Sequence, residues 1–523
     1  MMEKRGMRLL KKGQKGIVRA VFSRIGLMTV MLLLQFAVFF AAFFWLGEMY
    51  LPHFYLLEGM ISVGSLLYLL NCSDIDPSSK ITWLIVLMLM PVFGGLLLLY
   101  SRSDLGHRAM KKRIQTLVEE TEMKLPQNEA ALERLRAVHP GSAALAHYLR
   151  QKGGFPVYDG CGVTYFSSGE AKFDALLSAL ETAREFIFLE YFIVDEGEMW
   201  GRILEILARK AAEGVDVRLL YDGTCEFTTL SHDYPKRLGK LGIRCRVFSS
   251  VMPFISTHYN YRDHRKIAVI DGKTAFTGGV NLADEYINAV EKHGHWKDTA
   301  VMIRGAAAKS FTLMFLEMWC IYDRNPDFSP YLTGNADSTG DNGYVIPYAD
   351  CPLDEDRVGE RVYMDLLNRA EKFVHIMTPY LILDGELETA LKFSAERGVE
   401  VSLILPGIPD KKTPYALAKT HYPSLLASGV KIYEYTPGFV HAKVFSCDGR
   451  EAVVGTINLD YRSLYHHFEC AAYLCGTDCI GDIEADFAST REQCREITKE
   501  SLKKQNPGTW LRGIIMKAAA PLL

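Results

Sequence analysis

HRKIAVIDG (His264–Gly272) and HAKVFSCDG (His441–Gly449) spell one pattern twice: histidine, one residue, lysine, four residues, aspartate, glycine. One copy would be a weak signal, since short His/Lys/Asp patterns arise by chance. Here the surroundings agree as well. Gly278 and Gly455 each lie fourteen residues after their histidine, and Asn281 and Asn458 each lie seventeen after. Upstream, EGVDVRLLYDG (Glu213–Gly223) and RGVEVSLILPG (Arg397–Gly407) share a leading glycine, a valine–acid–valine core and a closing glycine in register. The chain contains an internal duplication.

Each copy sits in alternating strand and helix patterns. In the first, Phe186–Val194 reads as a buried strand, Trp200–Glu213 as a helix ended by Gly214, and Val215–Tyr221 as a strand. In the second, Phe373–Leu383, Glu386–Arg397 and Val399–Leu405 repeat that order. This alternation predicts an α/β fold of two similar halves. With 523 residues the chain is too long for one core. The expected division is a membrane segment over 1–100, a charged helical connector over 101–152, a first half over 153–323, a linker over 324–342 and a second half over 343–523. The linker is read from its Asn, Asp, Ser, Gly and Pro content.

On a strand, residues i and i+2 share a face. His264 and Lys266 therefore point one way, as do His441 and Lys443. If the halves oppose these faces, one shared site gains two imidazoles, two ammonium groups and the carboxamides of Asn281 and Asn458. A neutral imidazole is a nucleophile, and a protonated one is a general acid at neutral pH. The lysines and asparagines supply charge and donors to a phosphoryl oxyanion. Such a site attacks a phosphodiester through a phosphohistidine. No carboxylate cluster calls for a metal, and no cofactor motif is present. Asp271 and Asp448 are counted with the catalytic groups as members of the pattern. Glu469, in HHFEC, and Asp298, in HWKDT, are candidates to orient the histidines, with Glu190 as a third. Nearness in sequence pairs Glu469 with His441 and Asp298 with His264. On that ground His441 is expected as the acid and His264 as the nucleophile.

The apolar residues, 49% of the chain, concentrate at the N-terminal end. Ile25–Gly47 and Ile81–Tyr100 carry no charge, and about 20 such residues suffice to cross a bilayer. Phe54–Leu70 is apolar apart from Glu58 and shorter, so it reads as a third span or a re-entrant stretch. Basic residues lie before the first run and after the last, which draws both ends to the cytoplasm. Eleven cysteines without a CxxC pair fit a reducing compartment. The expectation is a multi-pass membrane protein with its catalytic part in the cytoplasm. The net charge of −3 argues against nucleic acid as partner.

These motifs resemble the phospholipase D superfamily and, within it, the bacterial cardiolipin synthases. The two opening stretches are similar to that family's paired HKD motifs, and AFTGGVNLADEY (Ala275–Tyr286) and VVGTINLDYRSL (Val453–Leu464) to the segments after them. TPYLILD (Thr378–Asp384), LPGIPDKK (Leu405–Lys412) and the run Ser78–Tyr100 extend the resemblance over nearly the whole chain. It implies phosphatidyl transfer between two phosphatidylglycerol molecules, without a metal, giving cardiolipin and glycerol. A phospholipase D-type hydrolase or another phosphatidyltransferase is the alternative, because water and a glycerol hydroxyl are similar nucleophiles.

Overall fold

The computed structural model describes Phe40, residues 51–333 apart from 73–74, 76, 91–93, 96, 100–107, 122–123 and 250–260, then 339–504 apart from 355, and 506–517. The first half supplies strands β1 (Tyr158–Asp159), β2 (Gly162–Phe166), β3 (Phe186–Tyr191), β4 (Asp216–Asp222), β5 (Arg244–Phe248), β6 (Arg262–Asp263), β7 (Lys266–Ile270), β8 (Thr274–Gly278), β9 (His295–Lys297) and β10 (Ala300–Arg304). The second supplies β11 (Tyr344–Asp350), β12 (Phe373–Met377), β13 (Glu400–Pro406), β14 (Lys431–Tyr435), β15 (Gly438–Val440), β16 (Val444–Cys447), β17 (Glu451–Gly455), β18 (His467–Cys475) and β19 (Cys494–Glu496).

The duplication is visible in the strand order. One sheet runs β2-β10-β8-β7-β3-β4-β5, and the other contains β11-β18-β17-β16-β12-β13-β14. In each, three parallel strands come from the strand–helix–strand unit, and the motif strand (β7 or β16) joins them antiparallel. The expected helix over Trp200–Glu213 is found at Glu198–Ala212, and Gly214 closes it with a left-handed φ of +94°. Burial on both faces of β3, β4 and β7 explains their near-continuous apolar runs.

The sheets pack face to face. Val269 and Val301 of the first share one core with Val454, Ala472 and Leu474 of the second, together with Phe311 and Phe315 of the buried helix Ala308–Trp319. Among the described residues, three short pairings also cross between the halves, one of them β1 antiparallel to β11. β6 runs parallel to β18, and β15 runs parallel to β9. In the first part of the interdomain stretch Phe328 is buried, and Tyr331 meets Phe186 edge-on and donates to Asp216.

The N-terminal readings fare unevenly. Among the described residues no helix is long and apolar enough to cross a membrane. The run Ile25–Gly47 lies outside the described residues apart from Phe40. The stretch read as the shortest forms a 21-residue helix, Leu51–Asn71. In the run from Ile81 a helix covers Pro77–Leu89, and residues 91–93, 96 and 100 lie outside the described residues. Leu69, Trp83 and Leu87 pack these two helices together.

Asp271 and Asp448 are corrected from catalytic to structural. Each has a φ of +52° in the turn after its motif strand. Asp271 accepts the backbone N–H groups of Arg184, Glu185 and Phe186 at 2.8–2.9 Å, and Asp448 those of Glu371, Lys372 and Phe373 at 2.8–2.9 Å. Five residues from the lysine is about 16 Å along a strand, the far end from the histidine. The spacing is kept because the aspartate fastens the motif strand to the start of β3 or β12. Asp271→Ala and Asp448→Ala are each expected to lower unfolding free energy by about 2 kcal/mol. Specific activity of the folded fraction should stay within about twofold, as thermal unfolding and initial rates will show.

Candidate active site

The two parallel cross-half pairings place the histidines. In the first, Arg262 and Asp263 register with His467 and Phe468, so the next position sets His264 against Glu469. In the second, Phe439 and Val440 register with Trp296 and Lys297, so His441 meets Asp298. The backbone continues the match: His264 N–H donates to the Phe468 carbonyl at 2.9 Å and His441 N–H to the Lys297 carbonyl at 2.7 Å. His264 Nδ1 then lies 2.9 and 3.0 Å from the two oxygens of Glu469, and His441 Nδ1 lies 2.7 Å from Asp298 Oδ2.

The pairing is thus the reverse of the one drawn from nearness in sequence. Each histidine is held by a carboxylate of the other half. Glu469 faces His264 and so does not mark His441 as the acid. Gly279 makes one of these pairs possible. A Cβ there would sit 2.0 Å from Asp298 Oδ1 and 2.8 Å from the His441 carbonyl oxygen. Gly278, with φ +146°, passes Thr299 so closely that a Cβ would be 2.4 Å from its carbonyl oxygen.

With Nδ1 committed to a carboxylate, Nε2 is the nitrogen each imidazole has for chemistry. The walls are aromatic: Phe192 lies 4.9 Å from the His264 ring, and Tyr286 and Trp296 lie 5.3 and 5.4 Å from that of His441. Lys266 and Lys443 are buried, each donating to the carbonyl of its own motif histidine. Burial lowers Lys266 to about 8 and Lys443 to about 7. Burial and the ammonium beside it lower His441 to about 4, against the pull of Asp298. His264 is pushed well below its usual value by burial and by Lys266 and Lys443. These shifts leave neutral imidazoles beside titratable ammonium groups. An arriving phosphodiester anion offsets the lysine charge and raises both imidazoles.

The asparagines differ. Asn281 Oδ1 accepts the Ile193 N–H and its Nδ2 donates to the Tyr286 hydroxyl, so it braces the wall of the His441 pocket. Asn458 donates to Asp460, while its Oδ1 has no hydrogen-bond partner among the described residues. Glu190 is not brought to either histidine. It is buried 3.9 Å from Arg265 and raised well above the carboxylate range by burial and by Asp263.

His467 was missed. It lies two residues before Glu469 on β18, its ring is 5.3 Å from that of His264, and neither of its nitrogens has a hydrogen-bond partner among the described residues. The i, i+2 spacing in HHFEC was the available signal. Ligand atoms of His264, His467 and Glu469 lie within 4.8 Å of one another, a grouping with metal-ligand residue types that sequence spacing did not reveal. Glu469 is already engaged there, by His264 and by the Thr456 hydroxyl.

Comparison with known proteins follows the same outline. The family described as "Cardiolipin synthase, PLD-like domain" matches residues 176–319 and 363–491, and "Phospholipase_D-nuclease N-terminal" matches 60–100. An uncharacterized protein of Streptococcus mutans serotype c is 56% identical over 88% of this chain and 100% of its own length. Cardiolipin synthase 2 of Bacillus cereus is 34% identical over 85% of this chain and 86% of its own. The crystal structure of phosphatidylserine synthase from Haemophilus influenzae shares the fold, with a TM-score of 0.55 at 15% identity over 69% of this chain and 95% of that one.

The lysines give the site a pH signature. Phosphate binding needs their charge, so kcat/KM should fall as pH rises through about 7 to 8, where Lys443 and then Lys266 deprotonate. Their contribution to stability runs the other way. Folding lowers both from 10.5, so the unfolded chain binds more protons between the folded values and 10.5, and stability rises with pH there. A pH–rate profile flat to pH 9.5 would contradict this reading.

Proposed function

As the chain belongs to the cardiolipin synthase family built on phospholipase D-like domains, we propose that it joins two phosphatidylglycerol molecules into cardiolipin and releases glycerol. It is a phosphatidyltransferase. The observation that carries the mechanism is the crossed pair of carboxylate-held imidazoles, one contributed by each half.

One imidazole attacks phosphorus through Nε2. The bond from phosphorus to the headgroup glycerol oxygen breaks, and the other imidazolium gives that oxygen its proton. The phosphatidyl group is then held as a phosphohistidine. The terminal hydroxyl of a second phosphatidylglycerol loses its proton to the second imidazole and attacks phosphorus. The P–N bond breaks, the first imidazole is restored, and a new phosphodiester stands in place of the old one. Lys266 and Lys443 offset the phosphoryl charge in both steps, and the aromatic walls keep the charges in a low-dielectric pocket. His467, adjacent to His264 and 3.8 Å from Glu469, supplies a further polar contact for phosphoryl or acceptor hydroxyl oxygen.

The membrane supplies both substrates. We place the enzyme in the bacterial cell membrane through its N-terminal apolar segment, residues 1–100, with the two catalytic halves in the cytoplasm. The free state of all eleven cysteines supports that side. The domain limits 101–152, 153–323, 324–342 and 343–523 are kept as working boundaries.

Purified protein incubated with phosphatidylglycerol should yield cardiolipin and glycerol in equal amounts. His264→Ala and His441→Ala should each lower the rate by at least about a thousandfold while leaving thermal unfolding cooperative. Lys266→Ala and Lys443→Ala should each cost about 2.7–4 kcal/mol in transition-state stabilisation. Phosphatidic acid as the main product would replace the transferase reading with the hydrolase one.

A further inference from the structure

The last described helix, Pro507–Lys517, has two unlike faces. One packs inward. Gly513 is buried against the helix Lys412–Ala427, where a Cβ would sit 2.4 Å from the Ala416 carbonyl oxygen. Met516 packs against Leu417 and Tyr461. Tyr461 opens the short helix that follows Asn458 and Asp460, so this C-terminal helix is anchored next to the rim of the catalytic site.

The other face is apolar and uncovered. Trp510 is 54% exposed, Leu511 54%, Ile514 42% and Ile515 61%. At about 100° per residue these four fall within one arc of about 140°. The same wheel puts Lys517 just beyond one edge of the arc and Arg512 beyond the other. Both are exposed, as are Lys503 and Lys504 immediately upstream. From Lys499 to Lys517 there are five basic residues and one acid, Glu500, in a chain whose net charge is −3.

We propose that this helix lies in the surface of an anionic bilayer, as a second lipid contact distant in sequence from the N-terminal apolar segment. An exposed apolar arc bordered by cationic side chains is the pattern of an interfacial helix. The apolar residues enter the acyl boundary while Arg512 and Lys517 reach back to the phosphates. Charge complementarity selects the occupant. A second copy of the chain would bring the same cationic border against this one, whereas an anionic lipid surface neutralises it. The contact would hold the rim near Asn458 against the source of lipid substrate. The proposal adds to the transferase reading without depending on it, because lipid contact is measured without turnover.

The test uses the full chain reconstituted in vesicles of phosphatidylglycerol and phosphatidylcholine whose acyl chains carry a nitroxide quencher. Comparing wild type with Trp510→Phe isolates the emission of Trp510. That emission should be quenched, more strongly by a shallow nitroxide than by one near the bilayer centre, and less in vesicles of phosphatidylcholine alone. In parallel, Trp510→Glu with Ile514→Glu should lower the rate on vesicles about tenfold and leave the rate in detergent micelles within about twofold. Quenching identical in wild type and Trp510→Phe would overturn the proposal. So would a change of oligomeric state in the double variant, which would make the face a contact between copies. If the protein formed no cardiolipin at all, the quenching result would still decide the helix.

Discussion

Two short parallel strand pairings between the halves are the constraint on which the site depends. β6 on β18 and β15 on β9 set the register that brings His264 to Glu469 and His441 to Asp298. A shift of one residue in either would turn the histidine to the opposite face. Each motif histidine takes its carboxylate from the other half. The duplicated fold therefore makes one site, and both sheets share the core that holds these pairings in place.

The same arrangement decides the electrostatics. Two lysines and two histidines are buried among aromatic rings with two carboxylates to answer them. Burial moves the ammonium groups toward neutral pH and favours uncharged imidazoles. In the mechanism proposed above, a phosphodiester anion offsets the lysine charge, so that its binding readies one imidazole to hold a proton. This is stabilisation built before the reaction rather than assembled during it.

Much of this was legible in the chain. The repeated His–Lys pattern, the matched glycines and asparagines, and the repeated valine–acid–valine units specified two α/β halves with one site between them. The misreadings have a common cause: spacing within a half says nothing about pairing across halves. Glu469 was assigned to the histidine nearer in sequence, although the fold places it on the other. Asp271 and Asp448 keep their spacing because a turn needs an acceptor for three N–H groups. Glu190 was drawn in by its strand position, yet its partners are Arg265 and Asp263. Hydrophobicity located the N-terminal apolar stretches, and the shortest of them forms the 21-residue helix Leu51–Asn71.

The central claim is the crossed pairing, and a double-mutant cycle on unfolding free energy tests it most directly. His441→Ala combined with Asp298→Ala should show a coupling of about 1.5–3 kcal/mol, as should His264→Ala with Glu469→Ala. The uncrossed combinations, His264 with Asp298 and His441 with Glu469, should be additive within about 0.5 kcal/mol. Strong coupling in the uncrossed pairs, with additivity in the crossed ones, would contradict the shared site described above.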